Sequence, residues 1–413
     1  MLQYPNLPYQ PSGPALSSAL YPTGGTAPTV DLPATSKLSY SFHGLDPNFV
    51  PPYAHEMNLS LEQSFPGKFS LQIGYVGTRG MRLPVFLDAN LICQKPSGEA
   101  SYLVQDAKNN ITKTITVPVY LPTDRRNTAL SSFNTGFSVA NTWYNSMAVT
   151  VRRPFANGLE LLGNYTWAHA SDTGQVQGAN GTFYGGDTPS DPNNIRFDNG
   201  PSDISIRNRG TLSFVYKPMV MEGNTLVKHI VNGFQFSGAE VASGGEPIFL
   251  GVQNTIYSGN SNSSSYADEG GIFGGAMSSS SGGATNGRPP QIGRNSINMP
   301  GFNDFDVRLT RKVPIHDKIS MDLNAEAFNL LNHQIVTGVN STYTTFLAPK
   351  QKVVANGITY SCASVTPPAG SKETGCFVPY TGTGLSAFGA TSSTSSSSLY
   401  GSRQLQVSAK LYF

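Results

Sequence analysis

Hydrophobic and polar residues alternate with a period of two along most of this chain, and helical spacing is nearly absent. Met57, Leu59 and Leu61 share one side of residues 56–63, and the chain then turns at Pro66-Gly67. Phe69, Leu71, Ile73 and Tyr75 follow on one side, with Lys68, Ser70 and Gln72 opposite. Met147, Val149 and Val151 align next; PFANG turns the chain, and Leu159, Leu161, Tyr165 and Trp167 line the return. Leu212, Phe214 and Tyr216 form another such set, as do Phe234 and Phe236. Near the C-terminus Phe305, Val307 and Leu309 oppose Asp306, Arg308, Thr310 and Lys312. After VPIHD, Ile319, Met321, Leu323, Ala325 and Ala327 oppose Lys318, Ser320, Asp322, Asn324 and Glu326. The chain closes on RQLQVSAKLYF, with Leu405, Val407, Ala409, Leu411 and Phe413 on one face. With the weaker KLSYSF (37–42) this predicts about ten strands, most near the ~9–11 residues that cross a bilayer when tilted.

The connections alternate too. Shorter turns follow the strands near residues 64, 153, 217 and 312, whereas long polar segments span roughly 78–142, 169–206, 253–302 and 330–402. Short turns at one end and long loops at the other is the pattern of outer-membrane barrels, whose short turns are periplasmic. A soluble β-sandwich also has alternating strands. Strand length, uncharged apolar faces and a polar face with charges of both signs favour the barrel. Turning that face to lipid would cost ~2–4 kcal/mol for each Arg or Lys at midplane. The expected fold is therefore all-β: a partial antiparallel transmembrane β-barrel with extracellular loops, over residues 37–413, after an irregular segment 1–36. Trp143, Tyr144 and Trp167 fall at strand ends, where an aromatic girdle sits.

Composition narrows the function. Charged residues are only 13%, while Tyr and Phe number 19 and 22 and Gly and Pro 43 and 29, which suits strands joined by polar loops. A net charge of +2 with scattered basic residues argues against nucleic acid. The N-terminal stretch lacks a basic region followed by an apolar core, so it does not read as a signal peptide. Cys362 and Cys376 share one loop segment and fit either a disulfide or two separate thiols; Cys93 has no evident partner. His55-Glu56 lacks the second His of a zinc protease, since residue 59 is Leu, and no Cys/His cluster suggests a metal. No nucleophile, base and orienter combine, so neither enzymatic activity nor a cofactor is expected.

Several stretches resemble a known family. GRNSINMPGFNDFDVRLTRKV (293–313) with MDLNAEAFNLLNH (321–333), YAHEMNLSLEQSFPGKFSLQIGYVGTRGMRL (53–83) and NYTWAHASD (164–172) are similar to the barrel of Oar-like TonB-dependent receptors of acidobacterial type. The resemblance spans about residues 37–413 and implies an outer-membrane receptor that binds or takes up a bulky nutrient. In that family a signal peptide, regulatory-like domain, TonB box and plug precede the barrel, which closes with about twenty-two strands. The resemblance thus implies a C-terminal receptor portion that meets TonB and a plug only through an N-terminal half and is not expected to carry out transport alone.

Two groups of residues are candidates for function. Asp306, Arg308, Lys312, Asp322 and Glu326 form a charge ladder on the polar, lumen-facing side; it is either a cross-strand charge network or part of a solute or plug path. Tyr184, Tyr257 and Tyr266 lie in the long loops, where aromatics either pack or contact ligand. Leu411 and Phe413 resemble the terminal signal read by the barrel-assembly machinery. The expected surroundings are outer-membrane lipid. A surface adhesion barrel without transport and a secreted β-sandwich binding protein are the alternatives.

Overall fold

The computed structural model describes residues 40–120, 122–127, 130–173, 191–219, 225, 228, 231–253, 289, 291–316, 319–347, 350–355, 357–362, 373–380, 382–395 and 401–413. Nine strands form one antiparallel meander: β1 (Tyr53–Phe65), β2 (Phe69–Asp88), β3 (Leu130–Ala156), β4 (Leu159–Asp172), β5 (Asn208–Tyr216), β6 (Phe234–Ser243), β7 (Phe302–His316), β8 (Ile319–Phe328) and β9 (Gln404–Tyr412). Each pairs with its sequence neighbour, so the sheet order is the chain order. Asn157 and Gly158 both have positive φ (49° and 81°) and close β3 to β4, as a two-residue hairpin demands.

The register carries the period-two pattern across the whole sheet. Leu59 pairs with Tyr75, Tyr75 with Met147, Met147 with Trp167; further on Leu309 pairs with Ala325 and Ala325 with Val407. All of these sit on one face. Its large side chains are exposed: Leu59 73%, Leu61 69%, Leu405 77% and Val407 83%. In water such a continuous apolar surface would be far beyond what a monomer tolerates; in a bilayer it is the lipid-facing surface.

Several sequence expectations change. Strands β2 and β3 run past the predicted ends, so residues 78–88 and 130–142 are strand rather than loop. PFANG and VPIHD also lie mostly inside strands. The segment KLSYSF (37–42) is expected as a barrel strand, and its residues 37–39 lie outside the described residues; Tyr40–Leu45 instead pair parallel to the outer part of β3, Ser41 with Ser132 through Leu45 with Gly136. The long connections are not simply polar loops. Pieces of three of them build a second, five-stranded sheet in the order Gly251–Gln253, Thr342–Leu347, Glu373–Pro379, Gly98–Gln105, Ile111–Val119.

Among the described residues, two of the three buried hydrophobic clusters pack on this loop sheet. Leu91, Tyr102, Val117, Tyr120, Val252, Phe346 and Phe377 pack on one side, and Leu103, Leu347, Tyr360, Val378 and the Cys362–Cys376 disulfide on the other. Tyr102 and Phe377 are fully buried, with rings 5.5 Å apart. Burying such a side chain stabilises by about 1.5–3 kcal/mol. The sheet is hydrophobic on both faces, which is why residues 102–104 and 376–378 read as short continuous runs and not as alternation.

Candidate functional site

The polar face of the barrel sheet is the inner one, and its residues fall in rows set by register. Arg308 stands opposite Glu326, which stands opposite Gln406; Lys312 stands opposite Asp322, which stands opposite Lys410. Between these rows Thr310 Oγ1 donates to Asn324 Oδ1 at 2.8 Å, and Asn324 Nδ2 donates to Ser408 at 3.3 Å. The same device recurs on the first half of the sheet, where Thr150 Oγ1 donates to Asn164 at 2.9 Å and Asn164 Nδ2 to Thr211 at 3.3 Å. An amide between two hydroxyls satisfies its carbonyl and its N–H across three strands, so both triplets fix register.

Among the described residues, the ladder closes as an ion pair only at Arg308–Glu326; Lys312 and Asp322 are in register without one. Asp306 Oδ1 instead accepts the backbone N–H of Asn329 at 2.8 Å and holds the end of β8. A cavity of about 390 Å³ opens beside this row, lined by Glu160, Val215, Ser237, Asp306, Arg308 and Glu326. Three carboxylates against one guanidinium make that stretch of wall acidic. Tyr184, Tyr257 and Tyr266 lie outside the described residues. Leu411 on the last strand and Phe413 just beyond it are exposed, Phe413 at 97%.

The outer mouth carries features that the sequence did not announce. Arg294, from the GRNSINMPG stretch, is completely buried and forms an ion pair with Asp172 at the end of β4. Its Nε donates to the Asp198 carbonyl at 2.9 Å, and a second nitrogen lies 3.6 Å from Asp203. A Cβ at Gly200 would sit 2.6 Å from the Arg294 carbonyl oxygen, so only glycine fits there. Asn295 Nδ2 donates to the Pro201 carbonyl at 2.9 Å and also to Asp203. These bonds hold residues 202–206 against the inner wall, where Ser202 N donates to the Ala170 carbonyl. Ile204 is left 78% exposed beside a cavity of about 220 Å³ lined by Tyr144, Thr166, Ser205 and Arg209. Tyr144 therefore corrects the girdle expectation: Trp143 and Trp167 lie on the lipid face, and Tyr144 points the other way. Nothing in a lone Arg between Gly and Asn signals such a node; only the contact of distant connections reveals it.

In the loop sheet, Tyr120 accepts from Asn193 Nδ2 at 2.7 Å, and Asp191 accepts the Asn193 N–H at 2.8 Å. Burial pushes the Asp191 carboxyl above the usual carboxylate range, and the Tyr120 hydroxyl rises mainly for the same reason. Among the described residues no group of three or more metal-binding side chains occurs.

A family model described as an outer membrane beta barrel domain matches residues 3–406. This chain belongs to that family. Its lipid-facing sheet therefore lies in the outer membrane. No curated protein matches the chain. Among solved structures, the ferripyoverdine receptor of Pseudomonas aeruginosa is 11% identical with a TM-score of 0.33, over 70% of this chain and 25% of that one. The ferric-catecholate import receptor Fiu from E. coli K12 is 11% identical with a TM-score of 0.33, over 71% and 26%. The outer membrane transporter YddB from Escherichia coli is 8% identical with a TM-score of 0.33, over 73% and 31%. The chain thus spans about a quarter to a third of the length of these proteins.

Proposed function

We propose that this chain is the barrel portion of an Oar-like TonB-dependent receptor that binds and takes up a bulky nutrient. The observation that carries the reading is the pairing of a polar, charge-lined inner wall with a loop sheet at its mouth that has a buried apolar core and a disulfide staple. A wall of Asp306, Arg308, Lys312, Asp322 and Glu326 suits a hydrated path or contact with a plug. A rigid loop sheet suits recognition of a large solute before entry. In receptors of this kind the plug and TonB box precede the barrel, and energised uptake would call on both.

A surface-adhesion role is the second reading, and the folded loop sheet favours it to the extent that it is a binding platform in its own right. Deleting the gene segment for residues 37–413 in its native host separates the two. Loss of energised uptake of labelled oligosaccharides or peptides supports the receptor. Unchanged uptake with lost surface attachment selects adhesion and sinks the transport reading.

A further inference from the structure

The lipid face carries cations near its two ends, and those ends differ. At the periplasmic end Arg153 lies 5.2 Å from the Phe69 ring and donates to the Gly67 and Leu159 carbonyls at 3.0 and 2.8 Å. Arg311 lies 4.6 Å from Phe234 and donates to the Asn232 carbonyl at 3.2 Å. Both guanidinium groups serve the neighbouring connections.

At the outer end Arg79 and Arg82 are both exposed, and among the described residues neither joins an ion pair or donates a hydrogen bond within the protein. Each lies over a ring instead, Arg79 at 6.0 Å from Trp143 and Arg82 at 5.4 Å from Tyr53. His55 pairs with Arg79 in register and meets Tyr53 edge to face at 5.3 Å. The register shift between Gly80 and Leu83 and the positive φ of Arg82 (58°) turn Arg82 toward Tyr53, so that it joins this face. Two cations and two large rings are thereby gathered above the apolar stretch of this face formed by Leu59, Leu61, Leu71 and Ile73.

Their height matches the outer headgroup layer. From Phe69 to Arg79 is ten residues, about 34 Å of strand at ~3.4 Å per residue. At a tilt of ~40° that is about 26 Å along the membrane normal, the height of a barrel's apolar band. Just below Arg79, Tyr75 reaches across Gly77 to donate to Asn145 at 2.7 Å, and Tyr165 does the same to Asn208 at 2.7 Å. Hydroxyls directed to asparagines on the lipid face mark where hydrocarbon gives way to polar headgroups.

We propose that Tyr53, His55, Arg79, Arg82 and Trp143 form a binding site for the phosphorylated sugar headgroup of an outer-leaflet glycolipid. The guanidinium groups take phosphate oxygens, the rings stack on the sugar faces, and acyl chains lie down the wall over Met57, Tyr75 and Met147. The combination of rings with cations, rather than cations alone, selects a phosphosugar over a glycerol phosphate.

The test uses the full chain extracted from outer membranes in mild detergent, with native mass spectrometry as readout. The probes are lipid A, dephosphorylated lipid A and phosphatidylglycerol. Wild type should retain lipid A at least about tenfold better than either other lipid, the scale of losing charge-assisted contacts. Arg79→Gln with Arg82→Gln should lose about tenfold, Lys at both positions should keep most binding, and Arg152→Gln, on the opposite face, should change nothing. Equal retention of phosphatidylglycerol, an unaffected double Gln variant, or an equal loss in R152Q would each overturn the site. Heat-modifiable migration reports whether the double variant folds; if it does not, the comparison of the three lipids on wild type decides.

Discussion

Arg294 is the side chain on which three separate stretches of the outer mouth meet. Its guanidinium is buried against Asp172, the Asp198 carbonyl and Asp203. Removing it takes the guanidinium away from a buried carboxylate, and breaking a buried pair costs about 3–5 kcal/mol. Arg294→Ala should therefore release residues 202–206 from the inner wall, seen as faster hydrogen exchange at Ala170 and Ser202 with β7 and β8 unchanged. Asp191 offers a test by pH. Its carboxyl is raised in the folded chain, so its contribution to stability is fully present below the ordinary Asp range and lost as pH rises through the raised value. Asp191→Asn should make the loop sheet more resistant to exchange than wild type at pH 7, with the advantage shrinking as pH falls toward the ordinary Asp range. A gain that grew with acid would contradict the assignment.

At the scale of elements, the barrel strands were legible because each is amphipathic and is paired to a sequence neighbour. Their ends were not. Beyond Gly77 the β2–β3 pair leaves the apolar band; there Val85, Leu87 and Ala140 are buried against Leu83, Ile92, Phe137 and Ile195, and alternation gives way to mixed burial. The loop sheet was missed for a related reason: two of its four pairings are parallel, between strands of three to eight residues drawn from different connections. No local period marks such partners. Cys362 and Cys376 staple it, and a loop of that size contributes about 3 kcal/mol. Reduction, or Cys362→Ser with Cys376→Ser, should speed exchange in Glu373–Pro379 while the nine barrel strands keep their protection. Loss of protection in both layers together would mean that the two fold as one unit.

At the scale of the whole molecule, the nine meander strands of the described residues set how the sheet can close. An odd meander leaves β1 and β9 running in the same direction, both from the outer end to the periplasmic end. The two strands are exposed along their whole lengths, and among the described residues each has a neighbour on one side only. Closing this sheet with antiparallel seams takes an odd number of further strands; β1 against β9 would be a parallel seam. Unpaired backbone in lipid costs several kcal/mol for each group, so the edges must be covered. Ser60→Cys with Ser408→Cys, both on the polar face, should form no intramolecular disulfide in outer membranes under oxidation. A high yield would instead establish parallel self-closure. Phe413→Ala should lower the fraction of heat-modifiable protein in the outer membrane, as expected of an assembly signal on an exposed terminal residue.

Alternation with a period of two by itself determined the class of fold, the faces and most of the barrel strands, because every second side chain must meet either lipid or the polar interior. The charge ladder was readable for the same reason: Asp306, Arg308 and Lys312 share one parity, and so do Asp322 and Glu326. Tertiary structure alone decided what the long connections do. The buried core around Tyr102 and Phe377, the Arg294 node and the placement of Ile204 and Tyr144 at the mouth all depend on contacts between residues up to hundreds of positions apart. Those contacts are set by which loops the barrel brings together, and no local spacing encodes that.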